Sequence, residues 1–223
     1  MSLKVYMHPR NDSTNRFGLF EKFAGDYKNK KILDYGGNRG NLLYFSQGKI
    51  REENYTCIDI EKEAIESGKN EFPNAKFLHY NRFSPMYNEG NMDEPFPILE
   101  GKFDICFAYS VFTHTDFFTF QQTIKHLQKI CDRLIISFVN NNNIAMKKWV
   151  HNKRCNEYGS CIELNLTKNY NYLINNNKII KNQKIYTLPE RYFFTFYDNT
   201  FIQQTFDSDV FLNNAGQDFV LIN

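Results

Sequence analysis

The chain has 223 residues, 42% of them hydrophobic, which suits a single α/β domain with a full core. A formal charge of +2 and a pI near 8.2 lack the basic imbalance of an obligate nucleic-acid binder. No apolar run reaches the roughly eighteen residues that a membrane span needs. The polar start MSLKVYMHPRND has no signal-peptide core, so the expected location is the cytoplasm.

In chain order, residues 1–30 are polar and aromatic, with one amphipathic stretch, RFGLFEKFAG. Phe17, Leu19, Phe20 and Phe23 there line one side of a helix expected to pack on the sheet edge. KILDYGGNRG (31–40) follows: a short apolar strand, an aspartate, and a glycine-rich turn running into the helical NLLYFSQG. Glycines at 36, 37 and 40 let the backbone turn sharply, and the helix behind points free N–H groups at whatever lies there.

YTCIDI (55–60) reads as a buried strand ending at Asp59, and EKEAIESGKNEF behind it has helical composition. Asp59 lies about twenty residues past the glycine turn, the place where an αβ unit of this type sets a carboxylate against ribose hydroxyls. KFLHY (76–80) and FDICFAYS (103–110) are further strand signals, separated by a proline-containing stretch, 82–101, expected to be an irregular loop. Strands alternating with helices predict a parallel sheet covered on both faces.

Asp116 is a candidate N-cap, with Phe120, Ile124, Leu127 and Cys131 recurring at helical spacing behind it. LIISFVN (134–140) reads as a strand. Residues 146–183 combine a basic run, KKWVHNKR, with a hairpin pattern, YNYLINNNKII. The asparagine runs at 140–143 and 175–177 read as compositional bias in exposed connections. Cys57 and Cys106 lie inside strands, as small core residues would. His151, Cys155 and Cys161 match no paired zinc spacing, so no metal is expected.

ILDYGGNRG, IDIEKEAIESGKNEFP, HYNRFSPMYNEG, FDICFAYSVFTHT and LIISFVN, in that order and spacing, resemble the motifs of the class I S-adenosylmethionine (SAM)-dependent methyltransferases, the small methyltransferase-domain group. The resemblance covers residues 30–145 well, and GQDFVLIN (216–223) more loosely as the last strand. It implies a Rossmann-like α/β sandwich on a mostly parallel seven-stranded sheet with one antiparallel strand near the C-terminus. The implied organisation is one domain over 1–223, with 1–30 as an N-terminal cap segment and 146–190 as an insertion or substrate cap at the carboxyl edge of the sheet.

The family's roles carry over by position. Gly36, Gly37 and Gly40 match the turn under the methionine part of the cofactor, and Asn38 stands where the pattern has its second glycine. Asparagine tolerates the left-handed backbone better than other non-glycine residues, so the turn can survive. Asp34 matches the acid closing the first strand, Asp59 the ribose acid, and Ile60 the apolar lid on the adenine. Asn81 falls where relatives have an aspartate facing the adenine amino group. Tyr109, with Ser110 and Asn140, lies at strand ends near the expected methyl position; Tyr109 is assigned to the cofactor, and Ser110 and Asn140 to the acceptor pocket. A dinucleotide fits less well, since Gly36, Asn38 and Asn41 would occupy its three-glycine register.

The implied activity is transfer of a methyl group from SAM, leaving S-adenosylhomocysteine (SAH), to an acceptor. His114, in the loop leaving the fourth strand, is the candidate base, with a structural hydrogen bond as the alternative role. AYSVFT (108–113) lacks the Asn/Asp-Pro-Pro-aromatic motif of nucleobase amino-methyltransferases, and there is no acidic cluster of the catechol type that would call for magnesium. A small-molecule hydroxyl or amine is therefore the leading acceptor by family analogy. RNA or protein methylation stays open through the basic run at 147–154, as does a non-catalytic SAM-binding protein.

Overall fold

The computed structural model describes residues 15–84, 87–88, 90–91, 93–115, 117–140, 173–175, 178–180, 185–187, 195–211 and 217–223. Its centre is a sheet whose strands are β1 (Ile32–Tyr35), β2 (Tyr55–Asp59), β3 (Lys76–His79), β4 (Phe103–Ala108) and β5 (Cys131–Asn140), completed by β10 (Val210–Phe211) and β11 (Asp218–Ile222). Their spatial order is β10-β11-β5-β4-β1-β2-β3. β1 to β5 run parallel, and β11 lies antiparallel to β5 with Val220 opposite Ile136.

Strict alternation along each strand sorts the core into two layers, because successive side chains leave a strand on opposite faces. Leu33, Ile58, Cys106, Ile136 and Val220 fall on one face with Phe120, Ile124 and Leu127 of helix α4 (Phe117–Ile130). Ile32, Cys57, Phe107, Ile135 and Phe219 fall on the other. Both faces are apolar, so these strands read as nearly unbroken hydrophobic runs.

The second face is covered by α1 (Arg16–Ala24), α2 (Asn41–Phe45) and α3 (Lys62–Glu71). Asn15 caps α1 by accepting the Gly18 N–H at 3.2 Å. The aromatic stripe of α1 is buried against the sheet as expected, and it reaches the edge strand β10 through Phe23, whose ring lies 5.5 Å from that of Phe211. Phe20 packs 5.5 Å from Phe107 and Phe23 5.0 Å from Phe219, so the helix extends from β4 outward to β11, next to that edge.

Helix α4 likewise buries Phe120, Ile124 and Leu127, whereas Cys131 opens β5 instead of ending the helix. The expected N-cap, Asp116, lies outside the described residues. The hairpin read in 170–180 is present as β6 (Leu173–Asn175) antiparallel to β7 (Lys178–Ile180). β8 (Ile185–Thr187) pairs with β9 (Thr195–Tyr197), and β9 joins the carboxyl end of β5 through Val139↔Phe196 and Asn140↔Tyr197. The sheet therefore carries two strands beyond the seven expected, attached at the edge assigned to the insertion. The chain then runs into α5 (Asn199–Phe206), capped by Asp198, which accepts the Phe201 N–H at 3.0 Å. No helix among the described residues is long and apolar enough to cross a membrane.

Candidate functional site

The turn after β1 and the end of β2 meet at the carboxyl edge of the sheet, where an open α/β fold leaves its crevice. Gly36 and Gly40 adopt φ of 75° and 77°, and Asn38 sits between them at φ 56°. The left-handed asparagine foreseen from the sequence is thus realised. Gly36 donates its N–H to the Ile58 carbonyl at 2.8 Å, fastening the turn to β2. The glycines are required by the protein's own side chains: a Cβ on Gly36 would overlap a Val111 methyl, and one on Gly37 the Asp34 carboxylate.

Asp59 is buried and faces the turn. Its carboxylate accepts the Asn38 N–H at 2.6 Å and the Glu61 N–H at 2.9 Å, with the Ile60 N–H also directed at it. Burial pushes its pKa above the ordinary carboxylate value, while these backbone donors and the nearby His79 oppose that shift. Ile60 is partly buried against the apolar layer beside it. Asp34 lies beneath the turn, accepting the Tyr55 hydroxyl and the Leu42 N–H at the start of α2. Burial raises its pKa to about 6, against the pull of the Tyr55 hydroxyl and the Arg16 charge.

Two residues missed in the sequence complete this end of the site. Glu61 accepts the Asn38 side-chain N–H at 2.9 Å, and burial together with the Asp59 charge raises its pKa to about 7. The signal was present in IDIEKE, where a second acid follows Asp59 by two residues at the mouth of a helix. Arg16, the first residue of α1, lays its guanidinium 5.2 Å from the centre of the Tyr109 ring. Tyr109 in turn stacks on Phe107 at 6.0 Å and Phe219 at 6.1 Å. A cation opening an amphipathic helix was the available clue.

At the exit of β4, Ser110 has φ 62°, a strained conformation for a non-glycine residue. A closed ring of side chains holds it. The Ser110 N–H donates to Ser137 Oγ at 2.7 Å, Ser137 Oγ donates to Gln217 Oε1 at 2.6 Å, and Gln217 Nε2 donates to Ser110 Oγ at 3.0 Å. The bend sends the chain into a 3-10 turn, Phe112–His114, and sets Val111 against Gly36. His114 Nε2 lies 3.4 Å from the Tyr87 hydroxyl, with the two rings edge to face.

Asn140 donates to Asp218 Oδ2 at 2.9 Å, beside Asn199 on the same oxygen at 3.1 Å. Asn81 is held within its own loop, its carbonyl accepting the Asn91 N–H at 2.9 Å and its Oδ1 accepting from Asn88 at 3.3 Å. The structure therefore brings Asp34, Gly36, Gly37, Asn38, Gly40, Asp59 and Ile60 together as one cradle. Tyr109, Ser110 and His114 line the neighbouring exit of β4, and Asn140 is bound to the last strand. His151, Cys155 and Cys161 lie outside the described residues, among which no cluster of three or more metal-binding side chains occurs.

Carboxylates thus surround the turn, and the Arg16 guanidinium, close enough to Asp34 to act on its charge, lies over the Tyr109 ring beside them, a set able to meet hydroxyl donors and an anionic group.

Residues 33–133 match the family model described as a methyltransferase domain. No curated protein matches the chain. Among solved structures, it is similar to the PH0226 protein from Pyrococcus horikoshii OT3, with a TM-score of 0.57 at 12% identity over 96% of this chain and 92% of that one. It is also similar to magnesium protoporphyrin IX methyltransferase from Synechocystis PCC 6803 with bound SAH, with a TM-score of 0.52 at 12% identity over 91% of this chain and 77% of that one. At such identity the likeness speaks for the fold.

Proposed function

We propose that this chain transfers the methyl group of SAM to a small-molecule hydroxyl or amine, a reading supported by the match of residues 33–133 to a methyltransferase-domain model. The observation that carries the reading is the cradle itself: a left-handed turn at 36–40 drawn onto the Asp59 carboxylate at 2.6 Å. When bound, SAM supplies a methyl already activated by its sulfonium.

The chain's residues are left with binding and orientation, which can supply roughly 7–11 kcal/mol of a barrier. In this reading Asp59 faces the ribose, Ile60 covers the adenine, Asn81 lies toward its amino group, and Gly36, Gly37, Asn38 and Gly40 form the floor, supported by Asp34. Arg16 over Tyr109 takes the amino-acid carboxylate as a charge-assisted partner. Ser110 and Asn140 shape the acceptor side. His114, within reach of the Tyr87 hydroxyl, removes the acceptor proton where the acceptor must lose one.

Calorimetric titration with SAH, followed by methyl transfer to a panel of hydroxyls, amines and RNA, tests this reading. Tight SAH binding with transfer to small acceptors is expected. Transfer to RNA alone, weakening steeply with salt, would replace the acceptor assignment; binding without any transfer would favour a SAM-binding protein.

Two variants divide the roles. Arg16→Ala is expected to weaken SAH about tenfold to a hundredfold, the worth of a hydrogen bond to a charged group. His114→Ala is expected to lower turnover about 10²-fold or more while SAH affinity changes little. A His114→Ala protein that turns over normally would leave that histidine a structural part only.

A further inference from the structure

Asn38 occupies a position where the resembling motif has glycine, and the chain does not leave it to strain. Three of its polar groups are fastened to β2 or its exit. The N–H donates to Asp59 at 2.6 Å, the carbonyl accepts Cys57 Sγ at 3.3 Å, and the side-chain amide donates to Glu61 Oε2 at 2.9 Å. A glycine would offer only the first two. The third bond locks the side chain of a residue whose φ of 56° is costly without a glycine.

We propose that Glu61 is a positioning residue for the adenosyl cradle, acting through Asn38 as a side-chain latch that replaces the conformational freedom of the missing glycine. The inference rests on the functional reading given above. Glu61 is the cap residue immediately before α3, so the latch ties the turn after β1 to the entry of the helix after β2, and both walls of the cradle move together. An unlatched turn would sample other backbone states and bind ligand only from the competent fraction.

The latch also responds to pH. The groups acting on Glu61 are Asp59 from β2, Glu63 from its own helix and the Asn38 amide from the turn, while His79 of β3 acts on Asp59. Burial, with the two neighbouring carboxylates, raises the Glu61 pKa to about 7. The ionised carboxylate is the stronger acceptor, so the latch tightens as pH rises through that value.

The test is calorimetric titration of the full chain with SAH at pH 6, 7 and 8, on the wild type and on E61A, E61Q, N38G and N38G/E61A. E61A is expected to bind about tenfold more weakly at pH 8 and to lose less at pH 6. E61Q keeps an acceptor oxygen for Asn38, so it should bind within about threefold of wild type with the pH dependence flattened.

Removing Glu61 from the N38G background should change almost nothing, because the latch has no partner there. A loss that persists undiminished in N38G would overturn the latch by making Glu61 a direct ligand, and wild-type affinity in E61A would overturn it too. If E61A does not fold, as judged by circular dichroism, the pH profile of E61Q decides: an unflattened profile refutes the proposal. Absence of SAH binding by folded wild-type protein refutes the functional reading itself, which is distinguishable from all of these.

Discussion

Asp59→Ala is expected to abolish measurable SAH binding and to lower folding stability by about 2–4 kcal/mol, because one carboxylate serves three backbone donors at once. The N–H groups of Asn38, Ile60 and Glu61 all converge on it, and alanine leaves them without that acceptor. Asp59→Asn should fall between the two, since its amide oxygen still accepts while its amino end faces N–H donors. Denaturant unfolding and calorimetry read both effects. Wild-type affinity in Asp59→Ala would remove the carboxylate from the ligand site.

Gly36→Ala is expected to cost about as much by a different route. A residue with a Cβ at φ 75° loses roughly 1–2 kcal/mol. The added carbon also overlaps Val111, an overpacking worth about 1–3 kcal/mol. The two parts are separable. Gly36→Ala combined with Val111→Ala should regain the packing part but not the backbone part, so the urea midpoint recovers only partly. No recovery at all would mean that the β4 exit loop does not press on the turn.

Much of the fold could be read from residue order. The apolar runs ILDY, YTCID and FDICFA had no choice but the interior of a parallel sheet, and the turn glycines punctuated them. For helix α1 the amphipathic stripe told which face is buried, but not that it would reach inward from the edge as far as β4. β10, two residues long, carried no readable period.

The cradle was legible for the same local reason: its glycines and Asp59 lie in two short segments. The other half was not. The ring that bends Ser110 joins residues 27 to 107 positions apart, and nothing within any one segment announces it. Glu61 and Arg16 escaped because a single charge near a helix start is ordinary, and only the partner across the fold gives it meaning.

The same ring sets an order of events during synthesis on the ribosome. The cradle's own contacts span about twenty residues and can close once β2 has emerged. Ser110 must wait until Gln217 emerges, 107 positions later, so the nascent chain can assemble the turn at 36–40 well before the bend after β4 is locked.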